Sequence, residues 1–379
     1  MVSLKYVFCG LSAACLISTT SSAQILPSPT TESRAAASEA ESLRLALQTN
    51  LPAWLDEYDV PSAAIAYIEN GKLAWTMASG EANKNTPATP ETLYNIASMT
   101  KPLVAETVTR LAASGHFSLD DSMAQTWIDP DIQDDPRHIA LTPTIALTHR
   151  TGFPNWRFET DNILTFKHDP DSQFGYSGEG LQYVARYIER KMGEPLETLV
   201  AENIFGPAGM TETTFTDKDW LDGRIAISQA KDGTRAYAPR REKWNAADDV
   251  WSSVSDYARF MIFVMDNPFN EQSPSEYWLP EHNLKSQICG EGRVSPELCP
   301  NALGFSAGWS IYDTSDNLIV FHGGGDVGER TMGLFNPITK QGAVIFTNGA
   351  NGQKIVRDVI KTLLPDPSFG AFMTMQAGG

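Results

Sequence analysis

Hydrophobic and polar residues follow two different periods along this chain, and the periods separate strands from helices. Near the start, the apolar run Ala63–Ile68 and the mixed run Lys72–Trp75 flank Asn70-Gly71. An Asn-Gly pair between two such runs is a strong signal for a tight β-hairpin. Further strand-like runs recur near the other end, at residues 317–321, 331–335 and 342–346.

Helical periodicity dominates the remaining segments. Leu103, Val104, Val108 and Leu111 recur on one helical face, and Gly115 ends the run. Other helices are predicted at 37–58, 181–190, 253–265 and 353–364. Residues 116–245 hold many Asp, Pro and Gly turns with helical pieces, which indicates a mostly helical insertion. We therefore predict an α+β fold, an α/β sandwich whose antiparallel sheet is built from both chain ends and flanked by helices.

Composition limits the classes of function. The 379 residues are 42% hydrophobic and 20% charged, which is an ordinary globular composition, and the length suffices for one large domain or two closely packed ones. The net charge is −17, from 29 Lys+Arg against 46 Asp+Glu, and no basic run is present. An acidic surface repels phosphate backbones, so nucleic acid is not expected as a partner.

The first 23 residues have the pattern of a secretory signal peptide. Lys5 precedes the mostly apolar run 6–17, and small residues at 21–23 offer a cleavage point. A membrane anchor is the alternative, but the run is short and no later segment reaches about 18 apolar residues. A lipoprotein signal with modified Cys15 also stays open. We expect a disordered leader at 24–36, a single domain at 37–379, no membrane span after cleavage, and a periplasmic or secreted protein.

Cys289 and Cys299 are the two cysteines that remain once the signal is removed. In an exported protein, two nearby cysteines indicate a disulfide that closes a local loop. Two free buried thiols are the alternative. No His/Cys spacing resembles a zinc site, so no metal is expected.

Ser98-Met99-Thr100-Lys101 is the first candidate for chemistry. Pro102 is tolerated only near a helix start, so a helix should begin at or beside Ser98. Residues three apart share a helical face, which brings Lys101 to the Ser98 hydroxyl. A serine hydroxyl needs such a base to act as a nucleophile. By itself, the Ser-x-x-Lys spacing is weak evidence for a catalytic site, because it also fits an ordinary helix start.

Two glycine-rich segments supply further candidates. Tyr176-Ser177 lies between Gly175 and Gly178-Glu179-Gly180, a tight loop that could hold the Tyr ring beside a lysine. His322-Gly323-Gly324-Gly325 follows the predicted strand 317–321, and glycines there let a ligand approach the backbone closely. Each segment by itself also fits a plain turn.

In this order the three motifs resemble those of the serine β-lactamase and D-alanyl-D-alanine peptidase superfamily, including class C β-lactamase-like esterases: Ser-x-x-Lys, Tyr-x-Asn and Lys/His-Thr/Ser-Gly. The resemblance covers roughly residues 45–365. It includes the segments 95–97, 147–152 and 205–210, which read Asn-Ile-Ala, Leu-Thr-His-Arg-Thr-Gly and Phe-Gly-Pro-Ala-Gly-Met.

The resemblance implies a role for each motif residue. Ser98 becomes the nucleophile, Lys101 its partner and Tyr176 a proton relay, while His322 takes the basic position of the third motif. The backbone N–H groups of Ser98 and Gly325 would form the oxyanion hole. No metal or organic cofactor is implied. The expected function is an exported serine hydrolase that forms an acyl-enzyme with a small-molecule ester or amide, or with a peptidoglycan-derived D-peptide or a β-lactam.

The chain departs from the superfamily at two substrate-binding positions. Gly178 stands where many members have Asn, and Gly323, followed by Gly324, stands where many have Thr or Ser. These glycines remove hydrogen-bonding groups for acylamino and carboxylate parts of a substrate. We expect them to open the pocket to bulkier groups and to favour simple esters over β-lactams.

Three alternatives remain. A true β-lactamase and a non-catalytic penicillin-binding or sensor domain share the same motifs. An α/β-hydrolase would instead use the Gly-x-Ser-x-Gly pattern around Ser306 as its nucleophile elbow. That elbow must lead into a helix, whereas residues 309–321 favour strands, so the α/β-hydrolase reading is disfavoured.

Overall fold

The computed structural model describes residues 31–236, 238, 240–266, 274–290, 293–314 and 316–378. The chain divides into two compact units, 1–39 and 40–379. The expected signal peptide, and residues 24–30 of the expected leader, lie outside the described residues. Helix α1 spans Thr31–Tyr58 and so includes residues 31–36 of the expected leader. Among the helices that are described, none combines the length and apolarity needed to cross a membrane.

The strands of the main sheet come from two regions, residues 62–87 and 302–347, and four short strands lie between them. In chain order, the strands are β1 Ser62–Glu69, β2 Lys72–Asn83, β3 Thr86–Pro87, β4 Tyr94–Asn95, β5 Ser228–Gln229, β6 Arg235–Ala236, β7 Trp251–Ser252, β8 Ala302–Ser306, β9 Trp309–Asp313, β10 Leu318–Gly325, β11 Arg330–Asn336 and β12 Gln341–Thr347.

The helices after α1 cluster in the middle of the chain and at its end. They are α2 Thr100–Ala113, α3 Pro143–Leu147, α4 Gly178–Met192, α5 Leu196–Val200, α6 Gly206–Ala208, α7 Val254–Asp266, α8 Pro274–Tyr277, α9 Ser286–Cys289, α10 Gly352–Leu363 and α11 Pro367–Gln376. The segment 116–245, expected as a helical insertion, contains α3 to α6, short 3₁₀ turns and the small β5–β6 ribbon.

An eight-stranded sheet in the order β3-β2-β1-β12-β11-β10-β9-β8 forms the centre of the domain. Its neighbouring strands are antiparallel throughout. The two chain ends meet where β1 pairs with β12, with Ala63 opposite Thr347. This confirms the predicted α+β fold with one antiparallel sheet assembled from both ends.

Alternate residues of β1 pack into two different cores, as a period of two requires. Ala64, Ala66 and Ile68 join the core that contains α2 and α7. Ile65 and Tyr67 join the core that contains α1, α10 and α11. Helices therefore cover both faces of the sheet, which explains why β1 is buried along almost its whole length.

Three local features can be compared with the sequence expectations. The hairpin predicted at Asn70-Gly71 is present, with left-handed φ angles of 52° and 71° that suit this residue pair. The sequence suggested that this strand ends before the glycines. In the structure, β10 continues through Gly325. Helix α11 was missed because its sequence has no clear apolar period, although Phe369 and Met373 are fully buried.

Candidate active site

Ser98 lies in a tight turn at the entrance to helix α2. A 3₁₀ turn spans Ala97–Met99 and continues directly into α2, close to the predicted helix start. Ala97 has a left-handed φ of 47°, and its N–H donates a 2.8 Å hydrogen bond to Oδ1 of Asn95. Thr331 of β11 donates a 2.9 Å bond to the Ile96 carbonyl. The turn is thus anchored on both sides, and it presents the half-buried Ser98 in one orientation.

Lys101 lies one helical turn further along, and its side chain is fully buried. Its Nζ donates a 2.8 Å hydrogen bond to Oγ of Ser98 and a second, also 2.8 Å, to the carbonyl of Ala247. The first bond is the contact that the Ser-x-x-Lys spacing predicted. Nothing in the sequence pointed to Ala247, because a backbone carbonyl carries no residue-type signal.

Tyr176 lies against Lys101 through the face of its ring. The Lys101 Nζ is 4.9 Å from the ring centroid, within the range of a cation–π contact. The ring packs on His149 at 4.3 Å and on Phe305 at 6.0 Å between centroids. Within the described part of the chain, the Tyr176 hydroxyl has no hydrogen bond to Ser98 or Lys101. Tyr176 is therefore held by ring packing, and its hydroxyl is free to meet a substrate.

His149 is a site residue whose position the motif at 147–152 marked but whose contacts the sequence did not reveal. It is buried, and its Nδ1 accepts a 3.2 Å hydrogen bond from the N–H of Ser177. Burial, and then the positive charge of Lys101, lower its pKa well below the usual value. His149 is therefore a neutral support for the Tyr176 loop, which also caps α4 through the Ser177 hydroxyl.

His322 occupies strand β10 and is 3% exposed. Its Nδ1 lies 2.7 Å from the carbonyl oxygen of Gly323, so this nitrogen carries the proton and donates. Burial, together with the positive charge of Lys101, lowers the pKa of His322 to about 3. The side chain is neutral at physiological pH and offers no charge to a carboxylate.

The three glycines after His322 face alternate sides of the strand. A Cβ at Gly324 would collide with the Thr331 hydroxyl and the Ile96 carbonyl, so only glycine fits there. On the other side, Gly323 pairs with Met332, and a Cβ would lie 3.3 Å from the Met332 terminal methyl. The glycines let β10 pass close behind the Ser98 turn and leave the opposite side open.

The structure corrects one expectation about Gly178. A Cβ there would lie 3.0 Å from two ring carbons of Trp156 and 3.1 Å from the Asn155 carbonyl. The missing side chain therefore leaves no opening, because the Trp156 indole already occupies the space. The same ring lies 5.9 Å from the Lys101 Nζ. Trp156 was not identified from the sequence, since a single aromatic residue in a loop carries no signal of its contacts.

Carboxylates gather on the Ala247 side of the site. Oxygens of Asp248, Asp249 and Asp326 lie within 4.8 Å of one another. Burial, and then the Asp249 charge, raise the pKa of Asp248 to about 7, while Lys101 opposes the shift. Asp249 already accepts hydrogen bonds from Asn95 and Arg241. We assign no ion to this group, and the absence of a metal from the reaction stays a prediction.

Two other sequence-derived candidates have clear positions. Ser306 is the last residue of β8 and pairs with Trp309 in a hairpin, so no helix follows it. The fold therefore excludes the nucleophile-elbow reading. Cys289 and Cys299 are joined by a disulfide, with their Cα atoms 6.0 Å apart.

A cavity of about 560 Å³ reaches Ser98 from the outer strands of the sheet. Its lining near the nucleophile includes Ser98, Phe174, Tyr176, Phe305 and the glycines 323–325, and the Arg330 side chain borders it beside Gly325. The structure thus brings most of the predicted site residues to one cavity. Lys101 and His322 lie behind this surface, where they can act on Ser98 and the strand but contact no bulk solvent.

The chain is similar in sequence and in fold to known proteins. A family model described as Beta-lactamase matches residues 46–362. Protein flp of Staphylococcus aureus is 22% identical over 78% of the chain, and the match spans only 61% of that longer protein. A class C beta-lactamase mutant has the same fold, with a TM-score of 0.70 and 14% identity over 86% of this chain and 98% of its own. The D-alanine carboxypeptidase of Burkholderia cenocepacia gives a TM-score of 0.63 and 20% identity over 82% and 95%.

Proposed function

Because the chain belongs to the beta-lactamase family, we propose that it is a serine hydrolase in which Ser98 forms an acyl-enzyme. The family match supports a serine hydrolase or acyl-transferase of the penicillin-binding and β-lactamase type. The observation that carries the proposal is the 2.8 Å contact between the buried Lys101 Nζ and the Ser98 Oγ. A buried lysine fixed at hydrogen-bond distance from a serine is the arrangement that activates a nucleophile.

The contact between Lys101 and Ser98 and the position of Tyr176 support the following reaction. Lys101, in its neutral form, takes the proton of the Ser98 hydroxyl as Oγ attacks the carbonyl carbon of an ester. The N–H groups of Ser98 and Gly325 donate to the oxygen of the tetrahedral intermediate. The bond to the alcohol then breaks, and the Tyr176 hydroxyl returns a proton to the leaving oxygen. The Tyr176 phenolate takes a proton from a water molecule that attacks the acyl-enzyme, and Lys101 returns its proton to the Ser98 Oγ as the acid is released.

Simple carboxylic esters are the proposed substrates, ahead of β-lactams. The Trp156 ring fills the place of a side-chain amide at position 178, so the site offers an apolar surface to an acylamino group. Gly323 has no hydroxyl, and the pKa of His322 of about 3 leaves this imidazole without a positive charge, so Arg330 beside Gly325 is the cation that lines the cavity among the described residues. A missing hydrogen bond to a charged group costs about 1.5–3 kcal/mol, or one to two orders of magnitude in rate. D-amino-acid amides and peptides are the second candidate class of substrate.

We also propose that the protein works outside the cytoplasm, in the periplasm or secreted. The signal-like residues 1–23 motivate this proposal, and the Cys289–Cys299 disulfide supports it. Structural disulfides persist in oxidising compartments.

A parallel assay tests the proposed function. The protein is treated with a fluorophosphonate probe and assayed with p-nitrophenyl butyrate, nitrocefin and a D-Ala-D-Ala peptide. We expect labelling at Ser98 and a kcat/KM for the ester at least about tenfold above that for nitrocefin. A reversed ratio would make the protein a β-lactamase, and an inert Ser98 would favour a binding or sensor domain.

A further inference from the structure

The cavity that opens at Ser98 extends well beyond the groups that the reaction needs. Its far part lies between β8, α9 and α11, on the face of the sheet that carries Phe321 and Met332. Ile288 and Phe372 in its walls are only 5% and 6% exposed, and Met373 is fully buried. Gln287, Gln353 and Gln376 also line the cavity, but most of its far walls are apolar side chains. Such a space beside a nucleophile has the size and the mostly apolar lining of a pocket for a small organic group.

The glycines of β10 keep this space connected to Ser98. Phe321, Gly323 and Gly325 point to the same side of the strand, because side chains alternate. A side chain at Gly323 would enter the cavity beside Met332, 3.3 Å from its methyl group. The absence of a hydroxyl at this position, which weakens carboxylate binding, therefore also opens a route from the nucleophile to the apolar walls.

The walls are also fixed in place. Cys289 ends α9 immediately after Ile288, and its disulfide reaches Cys299. The Ser368 hydroxyl of α11 donates a 2.5 Å hydrogen bond to the Leu298 carbonyl beside that cysteine. The two walls are thus tied to each other through one short segment, so the cavity does not depend on a ligand to hold it open.

We propose that this cavity, which we term the α9–α11 pocket, binds an extended hydrocarbon group of the substrate. The inference rests on the proposed ester hydrolysis at Ser98 and specifies its substrate class: esters with a medium-length apolar chain. A methylene group transferred from water to an apolar pocket gains enough free energy for a rate increase of up to about fourfold. The value of kcat/KM should therefore rise with chain length until the pocket is full.

Two ester series determine whether the chain lies on the acyl or the alcohol side. One series is p-nitrophenyl acetate to decanoate, and the other is methyl to octyl acetate. We expect kcat/KM to rise at least about tenfold along one series and to stay nearly level along the other. A flat profile in both series, with clear activity on the short esters, overturns the pocket but leaves the proposed hydrolase intact.

Variants then locate the effect in the cavity. Leu303 of β8 is half-buried in the wall, and Leu303→Trp should fill the pocket. We expect at least a tenfold loss on the long ester and less than a twofold change on the short one. Phe372→Ala should have the opposite effect and move the optimum to longer chains. Leu73→Trp, a half-buried leucine of β2 outside the cavity, is the matched control and should leave the profile unchanged.

Two outcomes would overturn the proposal. One is an equal loss on short and long esters in folded Leu303→Trp, and the other is an unchanged profile in both pocket variants. If no ester is hydrolysed by the wild type, the proposed function fails. In that case calorimetry of octanamide against acetamide still tests the pocket, with tighter binding of octanamide expected and equal binding contradicting it.

Discussion

The ring of Trp156 lies where a side chain at Gly178 would have to be, 3.0 Å from an ideal Cβ. The two residues belong to different segments, one in the loop before α4 and the other at its first turn. The indole fits against position 178 because glycine has no side chain. In turn, the indole covers the Gly178 backbone. The pair places an apolar ring 5.9 Å from the Lys101 Nζ, on the side where the superfamily resemblance led us to expect a polar side chain.

The first prediction tests by mutation whether the Trp156 ring excludes a side chain at position 178. Gly178→Asn alone forces a side chain into the indole and should destabilise the protein by about 1–3 kcal/mol. Adding Trp156→Ala should recover most of that loss, so the two changes are strongly non-additive in urea unfolding. The double variant should also raise the ratio of nitrocefin to ester kcat/KM by about tenfold, since an amide then faces the substrate.

The neighbouring Phe158→Ala provides the control for this pair. Phe158 is 69% exposed and packs on Trp156 at 6.5 Å between centroids. Combined with Gly178→Asn, it should recover little stability. Additive effects of Gly178→Asn and Trp156→Ala would contradict the steric explanation.

The second prediction concerns the nucleophile and its base. Ser98→Ala and Lys101→Ala should each lower kcat/KM for p-nitrophenyl butyrate by at least about 10³-fold, because they act as one unit. Ser98→Ala should leave the far-UV circular dichroism and the melting temperature close to wild type. Ser306→Ala is the matched control, since Ser306 lies in the β8–β9 hairpin and should retain nearly full activity. Retained activity in Ser98→Ala would refute the mechanism.

The third prediction uses the buried neutral state of His322. Its pKa of about 3 in the fold lies below the usual 6.5, so the unfolded chain binds more protons between these values. The contribution of His322 to stability is therefore present above pH 6.5 and is lost as the pH falls toward 3. From pH 7 to pH 5, the wild type should lose about 2 kcal/mol relative to His322→Gln.

Urea unfolding of both proteins across this range measures the difference. Between pH 7.5 and 8.5 the difference in the free energy of unfolding should stay constant, because His322 is neutral in both states there. If the difference in the free energy of unfolding stayed constant down to pH 5, His322 would take up its proton at the same pH in the folded and the unfolded protein. That result would contradict a buried neutral imidazole.

The fourth prediction concerns the disulfide. The chain separation of 10 residues between Cys289 and Cys299 corresponds to a stabilisation of about 2–3 kcal/mol in the loop-entropy estimate. Protein isolated without reductant should show no alkylatable thiol at either position by mass spectrometry. The double Cys→Ser variant should melt at a lower temperature, and the wild type in reductant should match it. Two free thiols in natively exported protein would argue against the bridge.

The fold was predictable from the sequence because its signals are local. The Asn70-Gly71 turn, the apolar runs near both ends and the stripe on α2 each depend on residues within one element. Such signals come from backbone conformation and from the alternation of buried and exposed positions. The expected antiparallel sheet with flanking helices was therefore correct. Helix α11 was missed because its residues are apolar without a clear period, and packing decides which of them is buried.

The sequence by itself determined the candidate nucleophile and its neighbours in the chain. The spacing of Ser98 and Lys101 on one helical face is a property of helix geometry alone. Only the tertiary structure could decide what surrounds that pair. Ala247, Trp156 and His149 come to it from separate segments, and no short-range pattern encodes a distance between segments. The lowered pKa of His322 and the pocket between α9 and α11 depend likewise on burial, which exists only once the whole chain has folded around them.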